Sequence, residues 1–175
     1  MNKKGVTIIE LLGAIVIFGL ALSLVAMILQ TIGAATERIN LNTKATYEGN
    51  AIVRELEKEM QDFSPTDYRA CIGTDCIILE SHYYYDVDLI NETITPVAYD
   101  PFLEKSIYIE NGKIWIDGVE RVIPYFTLGA LSSIDYTLTL NTLEITISIY
   151  LVDEHGKEYQ FIANHQFTIS EIPVI

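Results

Sequence analysis

The chain has 175 residues, with eleven Lys and Arg against twenty-four Asp and Glu, a formal net charge of −13. That balance opposes attraction to phosphate backbones and argues against direct nucleic-acid binding. Two cysteines and three histidines leave little material for a metal or redox centre.

In chain order, Lys3 and Lys4 come first, then Gly5, Val6, Thr7, Ile8 and Ile9, then Glu10 at the head of an apolar run, Leu11–Leu29. As a helix that run rises roughly 28 Å, close to the roughly 30 Å hydrocarbon core of a bilayer. A carboxylate at membrane depth is costly, so Glu10 is expected to have a partner or a purpose. The basic residues precede the run, and the first acidic residue beyond it is Glu37. That asymmetry predicts a single span of the cytoplasmic membrane, with the N-terminus in the cytoplasm and the bulk of the chain outside. A secretory signal is the rival reading, with Gly33, Ala34 and Ala35 as a small-residue cleavage site. Its apolar region would be too long, and Glu10 would sit at its start.

Lys4, Gly5, Val6, Thr7, Ile8, Ile9, Glu10, Leu11 and Leu12 resemble the N-terminus of type IV pilin precursors and pseudopilins. The resemblance implies cleavage after Gly5 by a membrane-embedded prepilin peptidase and methylation of the new Val6 amine. It also implies that Glu10 pairs with the terminal amine of a neighbouring subunit, from a position one helical turn along the chain. The implied partners are the peptidase, other pilins or pseudopilins, an assembly platform membrane protein, and the lipid bilayer before assembly. Val6 stands where the family usually has Phe, and Met27 stands where many major pilins have Pro. The second departure removes a helix kink and favours a minor component over the bulk subunit.

Beyond Leu29, Ile32, Ala35, Ile39, Ile52, Leu56, Met60 and Phe63 continue at helical spacing with polar positions between them. They predict one helix from about Val6 to Asp62, roughly 85 Å long. Asn40, Asn42, Thr43, Thr46 and Gly49 weaken its middle, and fraying is expected around Asn40–Asn50. Ser64 and Pro65 stop it. Arg54, Glu55, Glu57, Lys58 and Glu59 read as a solvated face and not as a catalytic pair of carboxylates.

Cys71 and Cys76 follow the helix, flanking a turn that contains Gly73. Outside the cytoplasm such a pair persists as a disulfide, expected to stabilise the junction of helix and sheet; two buried free thiols or a metal or redox pair are the alternatives. Strands are then predicted at Ile77–Glu80 and Tyr83–Leu89, separated by Ser81 and His82. In the second, Tyr83, Tyr85, Val87 and Leu89 alternate with Tyr84, Asp86 and Asp88, the pattern of one covered and one wet face. Asn91–Asp100, with Pro96 and Pro101 at its end, reads as an irregular loop. Ser106–Ile109 and Lys113–Ile116 flank Asn111-Gly112 as a hairpin, and Asp117-Gly118 leads into a short strand through Ile123. Further strands are predicted at Ile134–Leu140, Leu143–Val152, Lys157–Ala163 and Gln166–Ile169.

The fold class is α+β: a long N-terminal helix, membrane-spanning in its first half, packs by its second half on a small antiparallel domain whose sheet is split or curled. The expected organisation is a leader over 1–5, a transmembrane and assembly helix over 6–29, its amphipathic continuation over 30–63, and an extracellular β-rich domain over 64–175. His82, His155 and His165 lack ligand spacing, Asp86 and Asp88 read as wet-face residues, and there is no Gly-rich phosphate loop or serine elbow. No catalytic residue, metal or cofactor is therefore expected. The expected function is that of a minor pilin or pseudopilin, a non-enzymatic part of a type IV pilus, a type II secretion system or a competence DNA-uptake machine. The alternative is a membrane-tethered extracellular binding module, an adhesin or sensor outside any fibre. A membrane-anchored enzyme is the third class, disfavoured by the missing constellation.

Overall fold

A computed structural model of the chain describes residues 7–71 and 75–169. It divides into two units, Met1–Lys44 and Ala45–Ile175. Helix α1 (Ile8–Gln61) supplies everything described in the first unit after Thr7 and opens the second. No break interrupts it, so the expected fraying around Asn40–Asn50 is not found. The reason is packing: Ala45, Gly49 and Ile52 are buried against the core, which outweighs the weak propensity of the polar residues between them.

In the first unit the side chains of residues 7–40 are all exposed. Ile32 and Ile39, expected on the covered stripe, remain 56% and 63% exposed. The buried stripe instead begins at Ala45 and runs through Gly49, Ile52, Leu56 and Met60, steps of three and four that keep one helix face on the core. Gly49 is needed there because a methyl group at this position would lie 2.3 Å from the ring of Phe161. Its weak helix propensity is the cost of a close approach. The helix ends as the Ser64-Pro65 signal predicts, with Phe63 half-buried against the same core.

Two antiparallel sheets complete the second unit, so the sheet is split. The first is a meander of β1 (Asp67–Ala70), β2 (Cys76–Asp88), β3 (Thr93–Glu110), β4 (Lys113–Ile116) and β5 (Val119–Arg121), in that spatial order. The second comprises β6 (Thr127–Leu128), β7 (Ser133–Thr139), β8 (Thr142–Val152) and β9 (Glu158–Thr168). β8 is central: β9 pairs along its whole length, and β6 and β7 share its other edge. Leu143, Ile145, Ile147, Ile149 and Leu151 on β8 are fully buried, the period of two that the sequence predicts. The helix stripe and both sheets share one hydrophobic cluster.

Several predicted boundaries change. Ser81 and His82 are a bulge inside one continuous β2: the register shifts between Ser81 and Tyr83, and the His82 amide donates to Thr66 Oγ1 at 2.9 Å. Asn91–Asp100 is not a loop, since β3 starts at Thr93 and runs through both prolines. That is permitted because β4 pairs only with Ile107–Glu110, leaving the proline stretch on an open edge. The short strand predicted through Ile123 stops at Arg121, and the two final predicted strands are the single β9. Asn111 and Gly112 both have positive φ, 53° and 69°, as the predicted two-residue hairpin turn requires.

Candidate functional site

The head of α1 is built by the spacing of Thr7 and Glu10. The Thr7 amide and hydroxyl donate to Glu10 Oε2 at 2.9 and 3.1 Å, and the Glu10 amide donates to Thr7 Oγ1 at 3.3 Å. This is a reciprocal capping box, which satisfies amides that the first helical turn otherwise leaves open. Glu10 is thus turned toward the start of the helix. Lys3, Lys4 and the two residues of the expected cleavage and methylation site, Gly5 and Val6, lie outside the described residues.

Behind Glu10, α1 is long and apolar enough to cross a bilayer. Between Leu11 and Leu29 the one hydroxyl, that of Ser23, donates to the carbonyl of Leu20 at 2.8 Å, so it carries no unmet hydrogen bond into an apolar medium. No charged side chain follows Glu10 until Glu37. One ionisable group therefore stands at the head of an otherwise neutral segment.

Cys71 and Cys76 are joined as a disulfide, with Cα atoms 5.6 Å apart. The bond closes the connection between β1 and β2, directly beyond the Ala70–Ile77 pair. It therefore locks a hairpin and not the helix-to-sheet junction, because β1 already lies between them.

Two further clusters bring charged side chains together. Asp67, Glu80 and His82 bring ligand atoms within 4.8 Å of one another across β1 and β2. Glu80 already receives Arg69 Nε at 2.6 Å on one oxygen and His82 Nε2 at 3.1 Å on the other, and Arg69 also reaches Glu104 at 2.6 Å. Arg69 thus joins Glu80 and Glu104 in an ion-pair network that ties three strands. Glu55 and Glu59, expected on the solvated face, instead reach the first sheet: Glu55 pairs with Arg121 at 2.5 Å and Glu59 with Lys105. Their spacing of four places both on one helix face, but only the fold supplies the cations.

At the β8–β9 turn, Asp153 Oδ1 accepts from the amides of His155 and Lys157, both at 2.9 Å, while Oδ2 accepts from the Tyr159 hydroxyl at 3.2 Å. The Lys157 amide above all, followed by the His155 amide, holds this carboxyl below the usual carboxylate range despite partial desolvation. Its work is to shape a turn, with Gly156 at φ 77° completing it. Comparison of the chain with family models, with curated proteins and with solved structures returns no significant match.

Proposed function

We propose that this chain is a minor pilin or pseudopilin, a non-enzymatic subunit of a type IV pilus, a type II secretion pseudopilus or a competence DNA-uptake fibre. In this reading prepilin peptidase cuts after Gly5, the Val6 amine is methylated, and the chain waits in the cytoplasmic membrane with its β domain outside. An assembly platform protein then delivers it to other pilins, where Glu10 meets the terminal amine of a neighbour.

The observation that carries the reading is the single carboxylate, Glu10, at the head of a long exposed apolar helix that begins three residues after Gly5, itself preceded by Lys3 and Lys4. A lone charge entering an apolar environment is retained when a counter-charge meets it. The amine that cleavage creates at Val6 of a neighbouring subunit supplies that counter-charge.

Intact-mass measurement of the protein from its native host tests the processing: loss of residues 1–5 and gain of one methyl group is expected. An uncut N-terminus with active peptidase present overturns it and leaves the tethered binding module. For assembly, Glu10→Leu is expected to insert in the membrane yet lose crosslinking to neighbouring pilins, whereas Thr7→Val, which removes the hydroxyl bonds of the cap and keeps the amide bond to Glu10, retains it. Equal loss in both variants would assign Glu10 to capping alone.

A further inference from the structure

We propose that the cleft between the end of α1 and the bulged part of β2 binds a short, uncharged saccharide. The cleft measures about 350 Å³, within the roughly 300–1,000 Å³ of small-molecule sites. Asp62, Ser64 and Thr66, on the connection that leaves α1, line it together with Ser81, Tyr83 and Tyr85 of β2. The period of two puts those three β2 residues on one face of the strand. The cleft opens where the sheet is interrupted. The Thr66 amide donates to the Glu80 carbonyl at 2.8 Å and Thr66 Oγ1 accepts from the His82 amide at 2.9 Å; beyond these bonds no strand covers that edge of β2.

The lining holds polar capacity that the fold does not use. Ser81 is 5% exposed, yet its hydroxyl makes one long bond, 3.4 Å, to the Tyr83 carbonyl. A buried hydroxyl ordinarily finds a better partner and has two lone pairs to offer besides. Asp62 and Ser64 make no side-chain hydrogen bond among the described residues. Asp62 also follows the last turn of α1, where a negative charge opposes the helix dipole, so stability does not account for it. Tyr85 supplies an open ring held in place: it meets Tyr83 edge to face, with centroids 5.7 Å apart and planes at 84°, and stays 50% exposed. A sugar ring uses such a set, its C–H face resting on the aromatic ring and its hydroxyls bonding the carboxylate and the serines.

Charge and geometry set aside the other small ligands. No Lys, Arg or His lines the cleft among the described residues, and Asp62 is its one carboxylate, so phosphates, carboxylates and acidic sugars are repelled. A quaternary ammonium is held by several ring faces turned on one point. Here Tyr83 is 7% exposed and packed on Tyr85, and the other two tyrosines of the lining, Tyr84 and Tyr99, close on each other with ring centroids 5.1 Å apart. An apolar ligand would leave Asp62 and Ser81 without partners. The inference goes beyond the pilin reading and does not require cleavage at Gly5, since every residue it uses lies in the second unit.

The test applies the full chain, solubilised in a detergent without a sugar headgroup, to an array of neutral and acidic glycans, and measures the affinity of each retained glycan by calorimetric titration. Retention of neutral glycans is expected. Asp62→Ala removes a charged acceptor and Tyr85→Ala removes the open ring, and each is expected to weaken binding about tenfold. Val119→Ala, at an exposed position on β5, is expected to leave it unchanged. Tyr85→Ala also disturbs the packing of Tyr83, so Asp62→Ala, which relieves an unfavourable charge at the helix end and should not lower the melting temperature, decides the matter. The proposal is overturned by retention of no neutral glycan, by a preference for acidic glycans, or by an affinity that Asp62→Ala leaves unchanged. Heat on titration with tetramethylammonium chloride and with no glycan would assign the cleft to a cation and overturn it as well.

Discussion

Replacing Gly49 with Ala sets helix propensity against packing, and the structure says which wins. The new methyl group would lie 2.3 Å from Cε2 and Cζ of Phe161. Carbon atoms rest about 3.5–4.0 Å apart, so ring and helix must separate by at least about 1.2 Å. Overpacking of this kind costs about 1–3 kcal/mol, while Ala returns up to about 1 kcal/mol of helix propensity. Contact with three ring atoms at once places the cost in the upper part of its range, giving a net loss of about 1–2 kcal/mol. Urea unfolding of the detergent-solubilised chain, followed by fluorescence of Trp115, the single tryptophan, measures it. Phe161→Leu shortens the opposing side chain, so the double variant should be more stable than the sum of the single effects by about 1 kcal/mol. A stabilising Gly49→Ala, or strictly additive effects, would refute the close-approach argument.

Replacing Cys71 and Cys76 with Ser opens a short loop and should cost about 2 kcal/mol in the same unfolding assay. Peptide mapping without reduction should recover the two in one linked species, and quantitative alkylation of both residues without reduction would refute the bond. Asp153 has a folded pKa below its unfolded value, so its contribution to stability is fully present above about pH 4 and is lost as pH falls through the folded value. Asp153→Asn should therefore flatten the acid limb of a plot of melting temperature against pH, and parallel limbs for the two proteins would show that the turn does not depend on this charge.

What was legible in the sequence followed from burial on one face. Ile145, Ile147, Ile149 and Leu151 alternate because β8 sits between strands and over the core, and Asn111-Gly112 declares its turn by tolerating positive φ. β1 and β6 escaped because four and two residues are too few for a period, and their partners on β2 and β8 define them. The prolines of Asn91–Asp100 suggested a loop because sequence does not reveal which edge of a strand stays open. Gly49 resembled a helix defect for the same reason: Phe161 is distant in sequence and adjacent in space. At the helix head, Thr7 and Glu10 stand three apart, the spacing of a capping box, and that signal was readable.

The observed cap and the counter-charge role proposed for Glu10 are compatible. Both Thr7 donors converge on a single oxygen, Oε2, and a carboxylate has accepting capacity on each of its oxygens. The cap fixes the rotamer without exhausting the charge, so an ammonium group arriving at the helix head meets an acceptor already aimed at it. Pre-orientation lowers the side-chain entropy lost when the ion pair forms. Under the pilin reading proposed above, the carboxylate held by Thr7 would therefore serve first as the cap and then, when a neighbour's amine arrives, as cap and counter-charge together.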